Sequence, residues 1–327
     1  MVVSSRPGFF VAQPGDDPRR LVAAPTFRLS SSMPANTPPG AAAATDFTVE
    51  PGAGGLPRIV AAAADGARVE VYLHGAHVTS WRPAGDGAER LFVSARSRFG
   101  PDAAIRGGVP VCFPQFAAQG PLPMHGFART ASWDLVHARR TAAGAAEVLL
   151  QLTDSEATRA LWPHSFVAEL SVTASGSTLA LCLAVQNTGR TALAFTGALH
   201  TYLRVADVTQ AALHGLSGAG YRDKVKGTDG ETEAADALRV VGPIDRVYYA
   251  APADLELREP GRALAITTTG FADTVVWNPG AAGGAAMADL EPEGYARMAC
   301  VEAAAAREPV TVHPGAQWRG TQTLAAK

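Results

Sequence analysis

The amino-acid sequence predicts an all-β protein, built as a sandwich or a barrel. Several segments alternate polar and apolar side chains, which is the period of a strand with one buried face. Turns rich in glycine and proline separate these segments, and the chain contains 33 glycines and 23 prolines. Helical patterns are few, and many short strands between such turns are typical of sandwiches and barrels.

The predicted strands follow one another along most of the chain. Residues 68–73 largely alternate, in the order Arg-Val-Glu-Val-Tyr-Leu. Further strands are predicted over residues 147–152, 165–173, 178–186, 191–199, 264–268, 274–277 and 317–324. Ser175-Gly176-Ser177 is a turn signal, so the strands on either side of it are expected to form a hairpin. One short helix is expected over residues 155–161, ended by Trp162-Pro163.

Composition excludes several functional classes. The chain has 327 residues, 47% hydrophobic and 18% charged, which suits a soluble globular protein with a sizeable core. Its net charge of -2 predicts no broad attraction to nucleic acids or membranes, so any anion site must be local. The three cysteines lie far apart without metal-ligand spacing, so disulfides and structural zinc are not expected. No apolar run reaches the ~18 residues of a membrane helix.

Residues 1–45 differ in composition from the rest of the chain. They are rich in proline, alanine and serine, and they carry four arginines but only two acidic residues. Such a segment buries too little apolar surface to offset its ordering entropy. It is read either as a disordered extension or as a cleaved organelle transit peptide. The remaining residues, 46–327, are assigned to one β-sandwich domain.

Residues 105–133 contain the first candidate for ligand binding. Arg106 precedes Gly107 and Gly108, and Arg129 follows His125 by four residues. A guanidinium group offers a rigid fork of donors that fits an oxyanion. Glycines let a ligand approach the backbone closely. Chemistry alone leaves two readings open, an anion site or two ordinary surface arginines.

Two further residues are candidates because of their position in apolar surroundings. His200 ends the predicted strand 191–199, where it is either a core histidine or a group facing a cavity. Glu302 ends the apolar run 298–301, where a carboxylate needs either a salt-bridge partner or a chemical task. Asp245, by contrast, can be a turn residue after Pro243.

The pair His74 and His77 has the spacing His-x-x-His, which first resembles a metal motif. On a strand, however, residues three apart point to opposite faces, so one shared metal ion is not expected. The sequence therefore predicts no metal site.

An ordered series of motifs resembles the glucose-6-phosphate 1-epimerases, the hexose-6-phosphate branch of the aldose 1-epimerase (mutarotase) family. The matches keep their order over about residues 56–325. They comprise Ile105-Arg106-Gly107-Gly108-Val109-Pro110, His125-Gly126-Phe127-Ala128-Arg129, Leu199-His200-Thr201-Tyr202, Asp223-Lys224, Asp245-Arg246-Val247-Tyr248, Val276-Trp277-Asn278-Pro279 and Met298-Ala299-Cys300-Val301-Glu302. The resemblance implies a large antiparallel β-sandwich of the galactose-mutarotase type.

The resemblance also implies an acid–base reaction. His200 corresponds to the general acid of the family and Glu302 to its general base. Glu302 would take the proton of the anomeric hydroxyl while His200 protonates the ring oxygen. The ring then opens and closes onto the other face of the sugar. No electron is transferred, so no cofactor is expected.

Five further residues match substrate contacts of the family. Asp245 and His125 correspond to contacts with the sugar, and Arg106 and Arg129 are expected to bind the 6-phosphate. Met124 occupies a contact position where relatives often carry glutamine or serine, so one polar contact is expected to be lost. Residues 280–285, a glycine–alanine run, replace an aromatic residue and a lysine of relatives, and a mobile loop is expected there.

The sequence thus predicts a hexose-6-phosphate mutarotase that acts on a small sugar phosphate as a monomer, without nucleic-acid or membrane partners. The expected location is the cytoplasm, or a plastid or other organelle if residues 1–45 are a transit peptide. One alternative is a mutarotase for neutral aldoses, against which the two arginines argue. The other is a non-catalytic carbohydrate-binding protein on the same fold, against which the matched acid and base argue.

Overall fold

The computed structural model describes residues 46–327, and the predictions for residues 1–45 lie outside this range. The described chain is built mainly from strands, with two short α-helices, α1 (Glu156–Leu161) and α2 (Gly280–Ala286). The strands are β1 (Val49–Pro51), β2 (Pro57–Ala62), β3 (Arg68–Tyr72), β4 (His77–Arg82), β5 (Val111–Cys112), β6 (Asp134–Arg140), β7 (Ala146–Thr153), β8 (Phe166–Ser175), β9 (Thr178–Asn187), β10 (Leu193–Leu199), β11 (Tyr202–Arg204), β12 (Ala212–His214), β13 (Gly220–Asp223), β14 (Thr228–Thr232), β15 (Ala237–Arg239), β16 (Ile244–Tyr248), β17 (Asp254–Glu259), β18 (Arg262–Thr269), β19 (Asp273–Asn278), β20 (Met298–Val312) and β21 (Gln317–Ala326). Within residues 46–327, no helix is both long and apolar enough to cross a membrane.

The strands form three antiparallel sheets, which confirms the predicted all-β class. A nine-stranded sheet has the order β15-β12-β17-β18-β21-β9-β8-β7-β6. An eight-stranded sheet has the order β14-β13-β16-β19-β20-β10-β5, and β11 pairs with β20 beside that path. A four-stranded sheet, β1-β2-β3-β4, completes the fold. Apolar side chains of all three sheets join one central hydrophobic core.

Each of the strands predicted from the sequence is present, with ends that differ by a few residues. The expected hairpin joins β8 to β9, and Ser175 pairs with Thr178 across its turn. The predicted helix is α1, whose first turn is capped by the side chain of Ser155, which accepts a hydrogen bond from Thr158 N. The strand β20 has 15 residues, and the sequence pattern indicates only the apolar run at its start.

Residues of the strand β20 pack on both faces of the eight-stranded sheet. Val301, Ala303 and Ala305 belong to the central core. Cys300 and Ala304 belong to two smaller clusters on the opposite face of the eight-stranded sheet. This separation follows from the two-residue period of a strand. The opposite face is therefore the one on which the even-numbered residues of this part of β20, Glu302 among them, lie.

The expectation of a loop at residues 280–285 is wrong, because these residues are helical. This glycine–alanine run forms the helix α2, which Gly280 opens with a φ of 64°. A Cβ atom on Gly280 would lie 2.8 Å from the backbone nitrogen of Pro243, so only glycine fits this close packing. Gly284 is buried within the helix, so tertiary packing overrides the poor helix propensity of glycine.

Candidate active site

The candidate site lies on the face of the eight-stranded sheet that is turned away from the central core. Glu302 stands between Cys300 and Ala304, which both pack on this face. Asp245 stands two residues before Val247, which packs on the same face. Side chains two residues apart on a strand share a face, so Glu302 and Asp245 emerge on one surface. The strand β19 lies between their strands, with Val275 opposite Glu302.

The sheet brings His200 and Glu302 into direct contact. His200 follows β10, which pairs with β20 so that Leu199 lies opposite Ala303. The distance from His200 Nε2 to Glu302 Oε1 is 3.4 Å. The two residues are 9% and 2% exposed, respectively. Within residues 46–327, neither His200 Nδ1 nor Glu302 Oε2 has a hydrogen-bond partner. Buried atoms of this kind are costly unless water or a ligand supplies a partner.

Burial acts on the protonation of both groups. It is the main cause that holds the pKa of His200 well below 6.5. The electrostatic influence of His125 and the positive charges of Arg106 and Arg129 lower this pKa further. Burial also raises the pKa of Glu302 well above 4.5, assisted by the negative charge of Asp245. Both effects favour neutral side chains. The two groups together then hold one titratable proton, which can reside on the carboxyl group of Glu302 or on the imidazole of His200.

Aromatic rings surround His200. Its imidazole stacks on Tyr202, with the ring centroids 4.9 Å apart and the planes 13° apart. Trp277 meets the same imidazole edge to face at 5.9 Å, and His125 does so at 5.4 Å. These contacts leave the ring little rotational freedom. His200 is therefore fixed in orientation towards Glu302.

Arg106 is held by partners from distant parts of the chain. Its Nε donates a hydrogen bond to Asp289 Oδ2 at 3.1 Å, and its Nη1 donates to the hydroxyl of Tyr202 at 3.0 Å. Its Nη2 is also 3.1 Å from Asp289 Oδ2. Because guanidinium has five N–H donors, these contacts leave donors for another oxyanion.

Arg129 reaches the site from a short 3₁₀ turn, Ala128–Thr130. Its Nη2 donates a hydrogen bond to the carbonyl of Met124 at 2.8 Å. The side chain of Met124 is 58% exposed. Met124 therefore contacts Arg129 through its backbone carbonyl and not through its side chain. His125, between them in sequence, receives a hydrogen bond on Nδ1 from the backbone N–H of Ala117 at 3.2 Å.

Lys224 also lies in the candidate site, although its residue type and position in the sequence predict no particular role. Its Nζ lies 3.3 Å from Asp245 Oδ1 and 5.3 Å from the ring centroid of Phe116. Burial, with the positive charges of Arg129, Lys224 and Arg106, lowers the pKa of His125 to about 3. Three cations thus act on one imidazole. The motif Asp223-Lys224 in the sequence was the available signal for this lysine.

The glycines beside Arg106 pack closely against the protein's own backbone. A Cβ atom on Gly107 would lie 2.3 Å from the carbonyl oxygen of Phe92, and one on Gly108 would lie 2.2 Å from that of Val78. Both glycines also have positive φ angles. The protein's own backbone therefore fills the space that a side chain at either position would need, and this packing by itself requires glycine.

The structure thus combines an antiparallel β-sandwich with a buried imidazole–carboxylate pair on one face of a sheet. The chain matches the aldose 1-epimerase family model over residues 57–325. It therefore belongs to the aldose 1-epimerase family.

The comparisons with known proteins agree with this family. The chain is 38% identical over 282 residues to a protein of Cenchrus ciliaris, which covers 83% of this chain and 85% of the relative. It is also 38% identical over 242 residues to a protein of Escherichia coli, covering 72% of this chain and 79% of the relative. Both relatives carry the name "Putative glucose-6-phosphate 1-epimerase".

Solved structures show the same fold. A Salmonella typhimurium protein described as a "putative mutarotase" superposes with a TM-score of 0.76 at 31% identity, covering 83% of this chain and 90% of that protein. A galactose mutarotase-like protein of Clostridium acetobutylicum gives a TM-score of 0.69 at 14% identity, covering 86% and 98% of the two chains.

Proposed function

We propose that the protein interconverts the α and β anomers of a hexose 6-phosphate, with glucose 6-phosphate as the main substrate. The observation that carries this proposal is a buried acid–base pair beside a group of three cations. His200 contacts Glu302, and the imidazole of His125, 5.4 Å from that of His200, is under the influence of Arg106, Arg129 and Lys224. The names of the two relatives support the same substrate.

In the proposed reaction, the single titratable proton of the pair starts on His200 and Glu302 is a carboxylate. Glu302 then takes the proton of the anomeric hydroxyl, and His200 gives its proton to the ring oxygen. The ring opens to the aldehyde, the C1–C2 bond rotates, and the hydroxyl closes onto the other face. On closing, His200 takes back its proton and Glu302 returns the other, so the pair ends as it began. The rate gain comes from general acid–base catalysis and from positioning.

The phosphate is proposed to assist the acid as well as to bind. Positive charges lower the pKa of His200, among them those of Arg106 and Arg129. A bound phosphate brings negative charge next to these groups and offsets their effect. The imidazole of His200 is therefore protonated more readily when a phosphorylated sugar is bound.

The remaining site residues are proposed to hold the sugar. Asp245 accepts hydrogen bonds from sugar hydroxyls, and Lys224 keeps its carboxylate oriented from 3.3 Å. His125 contacts the sugar next to His200, and Met124 contributes its backbone carbonyl to the position of Arg129. All these residues come from one chain, so we propose that the monomer is active. Sedimentation of the active protein would test this oligomeric state.

The test is the rate of anomer interconversion, measured by magnetisation exchange between the two anomeric proton signals. Glucose 6-phosphate should give a kcat/KM at least about ten-fold above that of glucose, because one charge-assisted contact contributes ~1.5–3 kcal/mol. Equal values for the two sugars would instead indicate a mutarotase for neutral aldoses. Binding without any acceleration would indicate a carbohydrate-binding protein.

A further inference from the structure

His74 and His77 are two buried histidines that the proposed reaction does not use. His74 is 5% exposed and His77 is fully buried at the start of β4. Within residues 46–327, no group of His, Cys, Asp or Glu side chains is arranged to hold a metal ion. The His-x-x-His motif therefore needs another explanation.

Both imidazoles hydrogen bond the chain segment that carries Arg106. His77 Nε2 lies 2.7 Å from the carbonyl oxygen of Gly107, and His74 Nε2 lies 2.7 Å from that of Ala103. A carbonyl oxygen only accepts, so each Nε2 must carry the proton and donate. Burial lowers the pKa of His77 to about 4, so its ring is neutral at pH 7 and this proton is its single donor.

The same segment is fixed by its own backbone. The N–H of Arg106 donates to Ser97 Oγ at 2.7 Å, and its carbonyl accepts from Ser94 N at 2.9 Å. Gly108 N donates to the carbonyl of Phe92 at 2.6 Å. Residues 103–108 are thus held at several consecutive positions, and the guanidinium of Arg106 starts from a fixed backbone.

The close packing around His77 explains why an imidazole side chain suits this position. A Cβ atom on Gly108 would lie 2.8 Å from His77 Nε2, so the imidazole rests directly against the glycine backbone. A flat and rigid donor fits this narrow space, and it loses less rotamer freedom than a longer side chain. The side chain therefore fixes the loop without occupying the site itself.

We propose that His77, assisted by His74, is a positioning residue that holds the segment 103–107 so that Arg106 is directed at the 6-phosphate of the substrate. This inference rests on the proposed function. It predicts that His77 affects the recognition of the phosphate and leaves the acid–base step unchanged.

The test compares His77→Leu with His77→Gln in the full-length protein. His77→Leu removes the donor and leaves the Gly107 carbonyl unpaired, so kcat/KM for glucose 6-phosphate should fall about ten-fold, mainly through KM. The kcat/KM for glucose should stay within about two-fold of the wild-type value, because that sugar lacks the phosphate. His77→Gln keeps an amide donor near the position of Nε2, and it should restore most of the loss.

A matched control is His137→Leu, since His137 is bound to Glu147 on the nine-stranded sheet. This variant should leave the ratio of the two kcat/KM values unchanged. If His77→Leu does not fold, Ser97→Ala removes another anchor of the Arg106 backbone and should lower the same ratio.

The outcomes separate the two proposals. A wild-type enzyme without preference for the phosphorylated sugar would overturn the proposed function. A preference that neither His77→Leu nor Ser97→Ala alters, or an equal loss with both sugars, would overturn only the positioning role of His77.

Discussion

His200 Nε2 and Glu302 Oε1 lie 3.4 Å apart, although the two residues are 102 positions apart along the chain. The pairing of β10 with β20 produces this contact, because Leu199 lies opposite Ala303 at the point where β10 ends. Both side chains are also almost fully buried. The pairing of these two strands therefore holds an imidazole and a carboxylate 3.4 Å apart.

The first prediction concerns this pair. His200→Ala and Glu302→Gln should each lower kcat about 10²–10⁴-fold for glucose 6-phosphate, because each removes one proton-transfer partner. Circular dichroism should show that both variants stay folded. The control is Glu169→Gln, the same chemical change on the nine-stranded sheet, which should retain full activity. Near-normal turnover in either folded site variant would remove that residue from the mechanism.

The second prediction concerns stability. Burial raises the pKa of Glu302, so the folded state keeps a proton there that the unfolded chain releases above about pH 4.5. The stability from this group is therefore complete below pH 4.5 and is lost as the pH rises. Glu302→Gln should melt at a higher temperature than the wild type, by about 2 °C or more at pH 8. The difference should shrink towards pH 5, and a constant difference would contradict the prediction.

The third prediction uses two neighbouring charges with opposite effects. Besides burial, Asp245 raises the pKa of Glu302 and Lys224 lowers it. Asp245→Asn should therefore move the acid limb of the kcat/KM profile to lower pH, whereas Lys224→Met should move it to higher pH. The limb reports the apparent pKa of the pair with His200, and the prediction is the direction in which this limb moves. If the acid limb moves in the same direction in both variants, Glu302 is excluded as the titrating group.

The fourth prediction concerns the recognition of the phosphate. Arg129→Ala should lower kcat/KM for glucose 6-phosphate about 10–100-fold, because a charge-assisted contact contributes ~1.5–3 kcal/mol. The value for glucose should hardly change. Arg129→Lys should recover only part of the loss, since an ammonium group lacks the planar fork. Arg129 is the cleaner test of the two arginines, because Arg106 also binds Asp289 and Tyr202.

The control for that prediction is Arg68→Ala, which removes an exposed arginine from β3. It should leave both kcat/KM values at the wild-type level. If Arg129→Ala lowers the values for both sugars equally, the role of this arginine is structural and the preference for the phosphate has another origin.

The fold was predictable from the sequence because a strand with one buried face leaves a two-residue pattern. Residues 178–186 show this pattern, and they lie in β9 of the structure. The strand β20 was harder to recognise, because the run Ala303–Ala306 contains only alanine and shows no alternation. The short helix α2 was missed because glycine has a low helix propensity, which packing overrides.

Residues of the candidate site were predictable only where they belong to a sequence motif. Arg106 was found in this way, but its partner Asp289, 183 residues away, was not. No local pattern specifies such a contact, which only the folded chain creates. The same holds for His74 and His77, whose carbonyl partners lie 29 and 30 residues further along the chain.

The two-sided character of β20 limits how this enzyme can change during evolution. Glu302 lies between Val301 and Ala303, which both pack in the central core, so a shift of the carboxylate would disturb that core as well. Arg129, in contrast, stands on a short turn at the edge of the site. New sugar preferences can therefore arise by altering such turns one residue at a time. The proposed acid–base pair, which the sheet holds in place, would then stay the same from one sugar preference to the next.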